Sequence, residues 1–330
     1  MPGKRLLLFD NAKFALIMLV VVGHFADYYT SDHASMRSLF LFIYSFHMPL
    51  FIFISGLFVR EIKADSRLNW NKILSFVAIG FLMKALGGVL TFAVDGWVPF
   101  LLLADGGPAW FMFALAAYSI FAWVLQGVRK SYVLMFSVLL ALFVGYDSSV
   151  GDFLYLSRII VFFPFFWTGY CLTPGDVAKF VARKRVKVIA ACVVVGVLCL
   201  CIFFISDIYD MRGFFTGRNP YESIGVEHAF LFRFLAYVIS AVMCLSVLAL
   251  TPGKRIPFVS EFGPRTLQVY VWHGTALTLL QMMGIQSACS LFFGSFDFLG
   301  FVALAVPVTL VLSLKPFGVP LKPFLKLGRH

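Results

Sequence analysis

Long runs of apolar residues recur along the whole chain, and no other feature constrains its fold as tightly. They fall near 12–29, 39–58, 73–94, 109–127, 131–147, 153–172, 187–206, 229–250, 264–284 and 297–314. Each approaches the roughly 20 residues of helix that span a bilayer core. The runs are continuous and do not alternate every second residue, which is the pattern of helices and not of a barrel. A helix also satisfies its own backbone polar groups, as lipid demands. Composition agrees: 61% of residues are hydrophobic and 13% charged, with a mean hydropathy of +0.92. Ordinary soluble domains carry roughly 25% charged residues. The chain is therefore read as all-α, a polytopic membrane protein of about ten transmembrane helices forming a single domain over residues 1–330.

A net charge of +11 raises the question of nucleic acid. The cations, however, sit in short clusters between apolar runs, with no basic helix face and no separate polar domain, so no nucleic-acid partner is expected. Topology accounts for them instead. With the N-terminus inside, 21 of the 27 Lys and Arg residues fall on the cytoplasmic side, in segments around Lys4 to Lys13, Arg60 to Lys72, Arg129 and Lys130, Lys179 to Lys187, Lys254 to Arg265, and Lys315 to Arg329. The opposite side holds only Arg37, Arg158, Arg212, Arg218 and Arg233. This alternation obeys the positive-inside rule with an even number of spans. It places both termini in the cytoplasm of a multi-pass protein of a bacterial inner membrane. Asp10 and Lys13 interrupt the approach to the first run and no small-residue cleavage site follows, so the first span is expected to remain as an anchor. The six cysteines show no metal-ligand spacing, and neither a disulfide framework nor a metal is expected.

Ionisable side chains near a bilayer centre cost about 2.5–3.5 kcal/mol each on insertion scales and usually face the bundle interior. Here they are His24, His47, Lys84, Arg158 and His273. Lys13 and His24 are eleven residues apart, about 16 Å along a helix, and share a face. Asp27, three residues beyond His24, lies on that face within reach of the imidazole, and a histidine oriented by a carboxylate suits a general base for an alcohol. His47 precedes Pro49, which is expected to kink the second span, while Ser55 and Gly56 permit a close helix contact. His47 and His273 read equally as satisfied core histidines. Lys84 and Arg158 each need a partner, whether an anionic substrate group, a helix C-terminal carbonyl or an embedded acid. The longest outer loop, 207–228, carries Asp207, Asp210, Arg212, Arg218, Asn219, Tyr221, Glu222 and Glu227, and reads either as functional or as a plain connection.

Five segments, FDNAKFALIMLVVVGH (9–24), SFHMPLFIFISGLF (45–58), PAWFMFAL (108–115), RIIVFFPFFWTGY (158–170) and FGPRTLQVYVWH (262–273), together resemble the acyltransferase-3 superfamily of membrane O-acyltransferases. The nearest branch is the one named for fucose 4-O-acetylases. The resemblance implies ten core helices, acetyl-CoA from the cytoplasm as acyl donor, and an acceptor hydroxyl on a surface or lipid-linked glycan. Its basic residue, ten others, then histidine correspond to Lys13 and His24. Many members have Arg where this chain has Lys13, and a lysine lacks the bidentate fork. Arg158 matches an arginine ahead of the PFF segment, and His47 and Trp110 fall in other motifs of the family.

The expected catalytic set is His24, Asp27, Arg158 and His47. Lys13, Asp10, Lys84 and Trp110 are the expected donor-binding residues, and His273 is a substrate-facing or structural polar group. The rival reading is a proton-coupled secondary transporter with a relay of buried His, Lys and Arg, which would require solute flux without acyl chemistry.

Overall fold

The computed structural model describes residues 6–59, 68–97, 104 and 107–326. The cationic positions Lys4, Arg5, Arg60, Lys63, Arg67 and Arg329 lie outside them. Every regular element among the described residues is helical. The chain runs through α1 (Leu7–Asp27), α2 (Ala34–Tyr44), α3 (His47–Leu57), α4 (Trp70–Asp95), α5 (Trp110–Val124), α6 (Lys130–Phe143), α7 (Leu156–Cys171), α8 (Pro174–Val181) and α9 (Lys184–Phe203). Three short turns follow, α10 (Ile205–Ile208), α11 (Arg212–Thr216) and α12 (Tyr221–Ile224). The remainder is α13 (Ala229–Leu250), α14 (Val259–Phe262), α15 (Thr266–Met282), α16 (Ile285–Phe293), α17 (Asp297–Ala303) and α18 (Ala305–Leu312), with a last turn at Lys322–Lys326.

Among the described residues, seven helical segments are long and apolar enough to cross a membrane: Leu7–Asp27, Ala34–Leu57, Trp70–Asp95, Phe153–Cys171, Lys184–Phe203, Ala229–Leu250 and Ile285–Leu312. The other three expected spans form shorter helices. α5 has 15 residues, beginning only after Pro108, and α6 tightens into a 3-10 turn at Val144–Tyr146. α15 has 17 residues and carries Gln268 and His273. The hydropathy of these stretches extended past the helix ends, which made them look longer than they are.

Polarity is inverted relative to a soluble protein. α9 turns Val188, Ile189, Val195, Leu200 and Phe203 outward, while His47, Arg158, Arg233 and His273 are almost fully buried. Lipid removes the cost of the first arrangement, and internal pairing offsets part of that of the second.

The tightest seam joins α3 to α7. Gly56 faces the Phe166 carbonyl and Gly169 faces the Phe53 carbonyl, each so closely that a Cβ would collide with backbone. This bears out the close contact expected at Gly56. The interruption expected from Pro49 falls one turn ahead of it: within the span Ala34–Leu57 the helix breaks at Ser45–Phe46 and restarts at His47, which leaves the proline in the first turn of α3. A missing N–H costs little there. The Ser45 carbonyl, which residue 49 would otherwise have bonded, instead accepts from Ser240 Oγ of α13 at 2.6 Å. Pro164 inside α7 withdraws the donor that the Ile160 carbonyl would meet, and the carbonyls on either side of it accept from neighbouring helices. Tyr118 caps the Ile159 carbonyl at 2.9 Å and Tyr237 caps that of Val161 at 2.5 Å. Breaking and re-satisfying the two helices fixes where His47 and Arg158 emerge.

Replacing Gly56 with Ala should part α3 from α7 and cost about 1–3 kcal/mol. Gly87→Ala, on α4 with open space around it, should leave stability unchanged or raise it slightly. Thermal midpoints in detergent check both. Equal midpoints for the two variants would contradict the seam.

Candidate active site

α1, α3, α5 and α7 converge on a partly enclosed cavity of about 590 Å³. His24, His47, Trp110 and Arg158 all line it, together with Asp27, Tyr44, Asp152, Arg212, Arg218 and Asn219. The lining comes from the end of the bundle opposite the N-terminus of α1. The 212–220 segment forms one wall. Ser157 Oγ donates to the Gly217 carbonyl at 2.8 Å. Arg233, 1% exposed, donates to the Phe214 carbonyl, and Tyr221 donates to the Leu142 carbonyl at 2.7 Å. Gly217 has φ +69°, a conformation that favours glycine, and lies against Phe162. The 207–228 loop is thus fastened to the bundle and contributes side chains to the site.

His24 is half-buried, and among the described residues no hydrogen bond holds its ring. Its neighbour is His273, with ring centroids 5.0 Å apart and planes inclined at 43°. The expected Asp27–His24 pairing does not form. Asp27 Oδ1 lies 3.8 Å from the Arg212 guanidinium and 3.5 Å from Thr30 Oγ1. Helical spacing put Asp27 and His24 on one face, but the stronger demand on the carboxylate comes from the cation across the cavity.

The other two histidines are oriented by backbone. His47 Nδ1 lies 2.9 Å from the Ile43 carbonyl, and His273 Nδ1 lies 2.7 Å from that of Tyr270. A carbonyl only accepts, so in each neutral ring Nδ1 carries the proton and Nε2 is the acceptor. His273 Nε2 is buried and has no hydrogen-bond partner among the described residues. Neutral His47 cannot donate from Nε2, whereas the Arg158 guanidinium, which lines the same cavity, can donate to a developing negative charge.

Arg158 is 4% exposed. It pairs with Asp152 Oδ1 at 2.9 Å and packs on the rings of Trp110 and Tyr155, at 5.3 and 5.5 Å. Asp152 Oδ2 pairs with Arg218, so one carboxylate bridges two guanidiniums. Leu154 and Tyr155 take left-handed φ angles of 52° and 57° immediately before α7. Such strain costs about 1–3 kcal/mol per residue and tends to gather at functional sites.

Lys84 does not line the cavity. Its Nζ donates to Tyr155 Oη at 3.1 Å, supporting the ring on which Arg158 packs. Lys13 and Asp10 pair at 3.0 Å three turns away from His24, also outside the cavity. Of the nine residues expected at the site, five line one cavity and His273 stands directly behind His24. Sequence reasoning missed Asp152, Tyr44 and Tyr270. Arg212, Arg218 and Asn219 were visible only as members of a polar loop.

A base without a fixed partner, a buried arginine and aromatic walls are suited to activating a hydroxyl and stabilising an anion. No curated protein and no solved structure matches the chain. The family model described as an acyltransferase domain matches residues 7–314, nearly its whole length, and the cavity and all the residues around it lie within that match. The chain is a multi-pass membrane protein belonging to the acyltransferase-3 family.

Proposed function

We propose that this chain is a bacterial inner-membrane O-acetyltransferase that moves an acetyl group from cytoplasmic acetyl-CoA to a hydroxyl of a surface or lipid-linked glycan. The observation that carries the reading is the convergence of His24, His47, Trp110 and Arg158 on one cavity inside a bundle of apolar helices. The flat faces of Trp110, Phe40 and Phe162 suit the C–H side of a sugar ring, and the surrounding Arg, Asp and Asn side chains suit its hydroxyls. Neither the family nor the fold favours the transporter.

In this mechanism His24 takes the proton of the acceptor hydroxyl as its oxygen attacks the thioester carbonyl. Arg158, fixed by Asp152 and Trp110, stabilises the charge that gathers on the carbonyl oxygen. His24 then returns the proton to the departing thiolate, leaving an ester and free coenzyme A. His273 stands behind the base with an acceptor nitrogen towards which an imidazolium could turn. Lys13 and Asp10 sit on the donor side, in keeping with the cation distribution that puts both termini in the cytoplasm.

His24→Ala should lower acetyl transfer by about 100-fold or more, with an unchanged thermal midpoint. The check uses labelled acetyl-CoA with protein in lipid nanodiscs, and mass spectrometry of cell-surface glycans from cells carrying either form. Full activity in the variant would remove the assignment. Orientation has its own test. Ser223 is exposed on the cavity side of the bundle, and a cysteine there should react with a membrane-impermeant maleimide from outside the cytoplasmic membrane. Labelling only after the membrane is opened would reverse the topology.

A further inference from the structure

The charged side chains that line the cavity do not balance. Among the described residues that line it, Arg158, Arg212 and Arg218 face only Asp27 and Asp152. Asp152 is spent on two guanidiniums at once, pairing with Arg158 through one oxygen and with Arg218 through the other. That leaves Asp27 for Arg212, and their separation of 3.8 Å is well beyond the roughly 2.7–2.9 Å of a charge-assisted hydrogen bond. The looseness does not come from a mobile arginine. Arg212 donates to Tyr209 Oη at 2.7 Å and packs against the rings of Phe40 and Tyr209, at 5.1 and 5.2 Å. Its guanidinium is therefore held in place with one edge incompletely satisfied.

Asn219 adds a second donor on the same wall. Its amide oxygen accepts from Thr216 Oγ1 at 3.1 Å, so the amide NH₂ is the group left to meet a ligand. A wall that offers guanidinium and amide donors, inside a cavity whose described lining holds one more Arg than Asp, is complementary to an anion.

We infer that Arg212, Arg218 and Asn219 form a subsite for an acidic group on the acceptor, so that the favoured glycan carries a carboxylate or phosphate near the hydroxyl to be acylated. The inference rests on the reading of the cavity as the acceptor site. It does not depend on which atom of His24 acts as base. A planar carboxylate or two phosphate oxygens fit the edge of Arg212 that Asp27 reaches only weakly, and either would then compete with Asp27 for it. Arg218 holds its part of the same wall through Asp152.

The test is a binding measurement on the full chain in nanodiscs, using a galacturonic acid oligosaccharide, its carboxyl-reduced neutral counterpart, galactose 1-phosphate and coenzyme A as probes. At least one acidic sugar should bind about tenfold or more tightly than the neutral one, which corresponds to one charge-assisted hydrogen bond. The advantage should shrink with added salt. The preferred acid tells carboxylate from phosphate. Arg212→Gln should erase the preference and Arg212→Lys should keep part of it. Arg218→Gln reports on the same wall if the first variant does not fold. His24→Ala should retain the preference even though it is inactive in transfer, so loss of catalysis and loss of the anion subsite are read separately. Equal binding of acidic and neutral sugars overturns the inference. So does failure of both acids to bind, or a loss confined to coenzyme A in the Arg212 and Arg218 variants.

Discussion

Arg158 can sit among apolar helices only because other groups replace the water it gives up. A lone cation in that position would have no compensation, and an ion pair repays its desolvation only when the geometry is good. Here Asp152 supplies the charge at 2.9 Å, and the faces of Trp110 and Tyr155 cover the guanidinium plane. The requirement reaches further than one residue. Asp152 must be held at the start of α7, which the left-handed turn at Leu154–Tyr155 achieves, and Tyr155 is in turn fixed by Lys84. Asp152 also draws Arg218 in from the outer loop. A buried charge on one helix thus organises a loop more than fifty residues away in sequence.

The same economy governs the backbone. Prolines in α3 and α7 remove donors in a setting where water cannot take their place. Ser240, Tyr118 and Tyr237, all on neighbouring helices, take over nearby carbonyls. These hydroxyls lock the helices in rotation as well as in position. With Gly56 and Gly169 bringing α3 and α7 into backbone contact, the two helices that deliver His47 and Arg158 have little freedom. That rigidity fixes the shape of the cavity between them.

Much of this was legible in the sequence, for reasons that differ from element to element. The apolar runs gave the helices because a period and a length are enough to recognise a span. They gave α5, α6 and α15 too generously, since hydropathy does not register where a helix stops. His24, His47 and Arg158 stood out because each is expensive in lipid. Asp152 did not, because it lies just outside an apolar run, where an aspartate costs nothing until it is paired. Asp27 was seen and misassigned. Helical spacing gives which residues share a face, but the partner that captures a carboxylate came from a loop 185 residues along the chain. The approach of His273 to His24 was equally hidden, since no spacing rule connects the first helix to one 249 residues later.

The two ends of α1 differ in a way that bears on how the proposed reaction would run. Around His24 lies the partly enclosed cavity proposed to take the acceptor. Between His24 and Lys13, by contrast, Leu16, Ile17, Val20 and Val21 are at most 2% exposed. Near Lys13, Asn11 donates to the Pro252 carbonyl at 2.7 Å and accepts from Ser260 at 2.7 Å, while Gly263 packs on the Asp10 backbone. A thioester arriving from the Lys13 side must part these contacts before it meets the base, whereas a glycan meets a formed pocket. Such an asymmetry has a chemical use. Water fills an empty acceptor pocket, and a thioester delivered to His24 under those conditions would be hydrolysed. A donor path that stays closed until the bundle loosens keeps the reactive carbonyl away from that water, and a sugar seated against Trp110 displaces it.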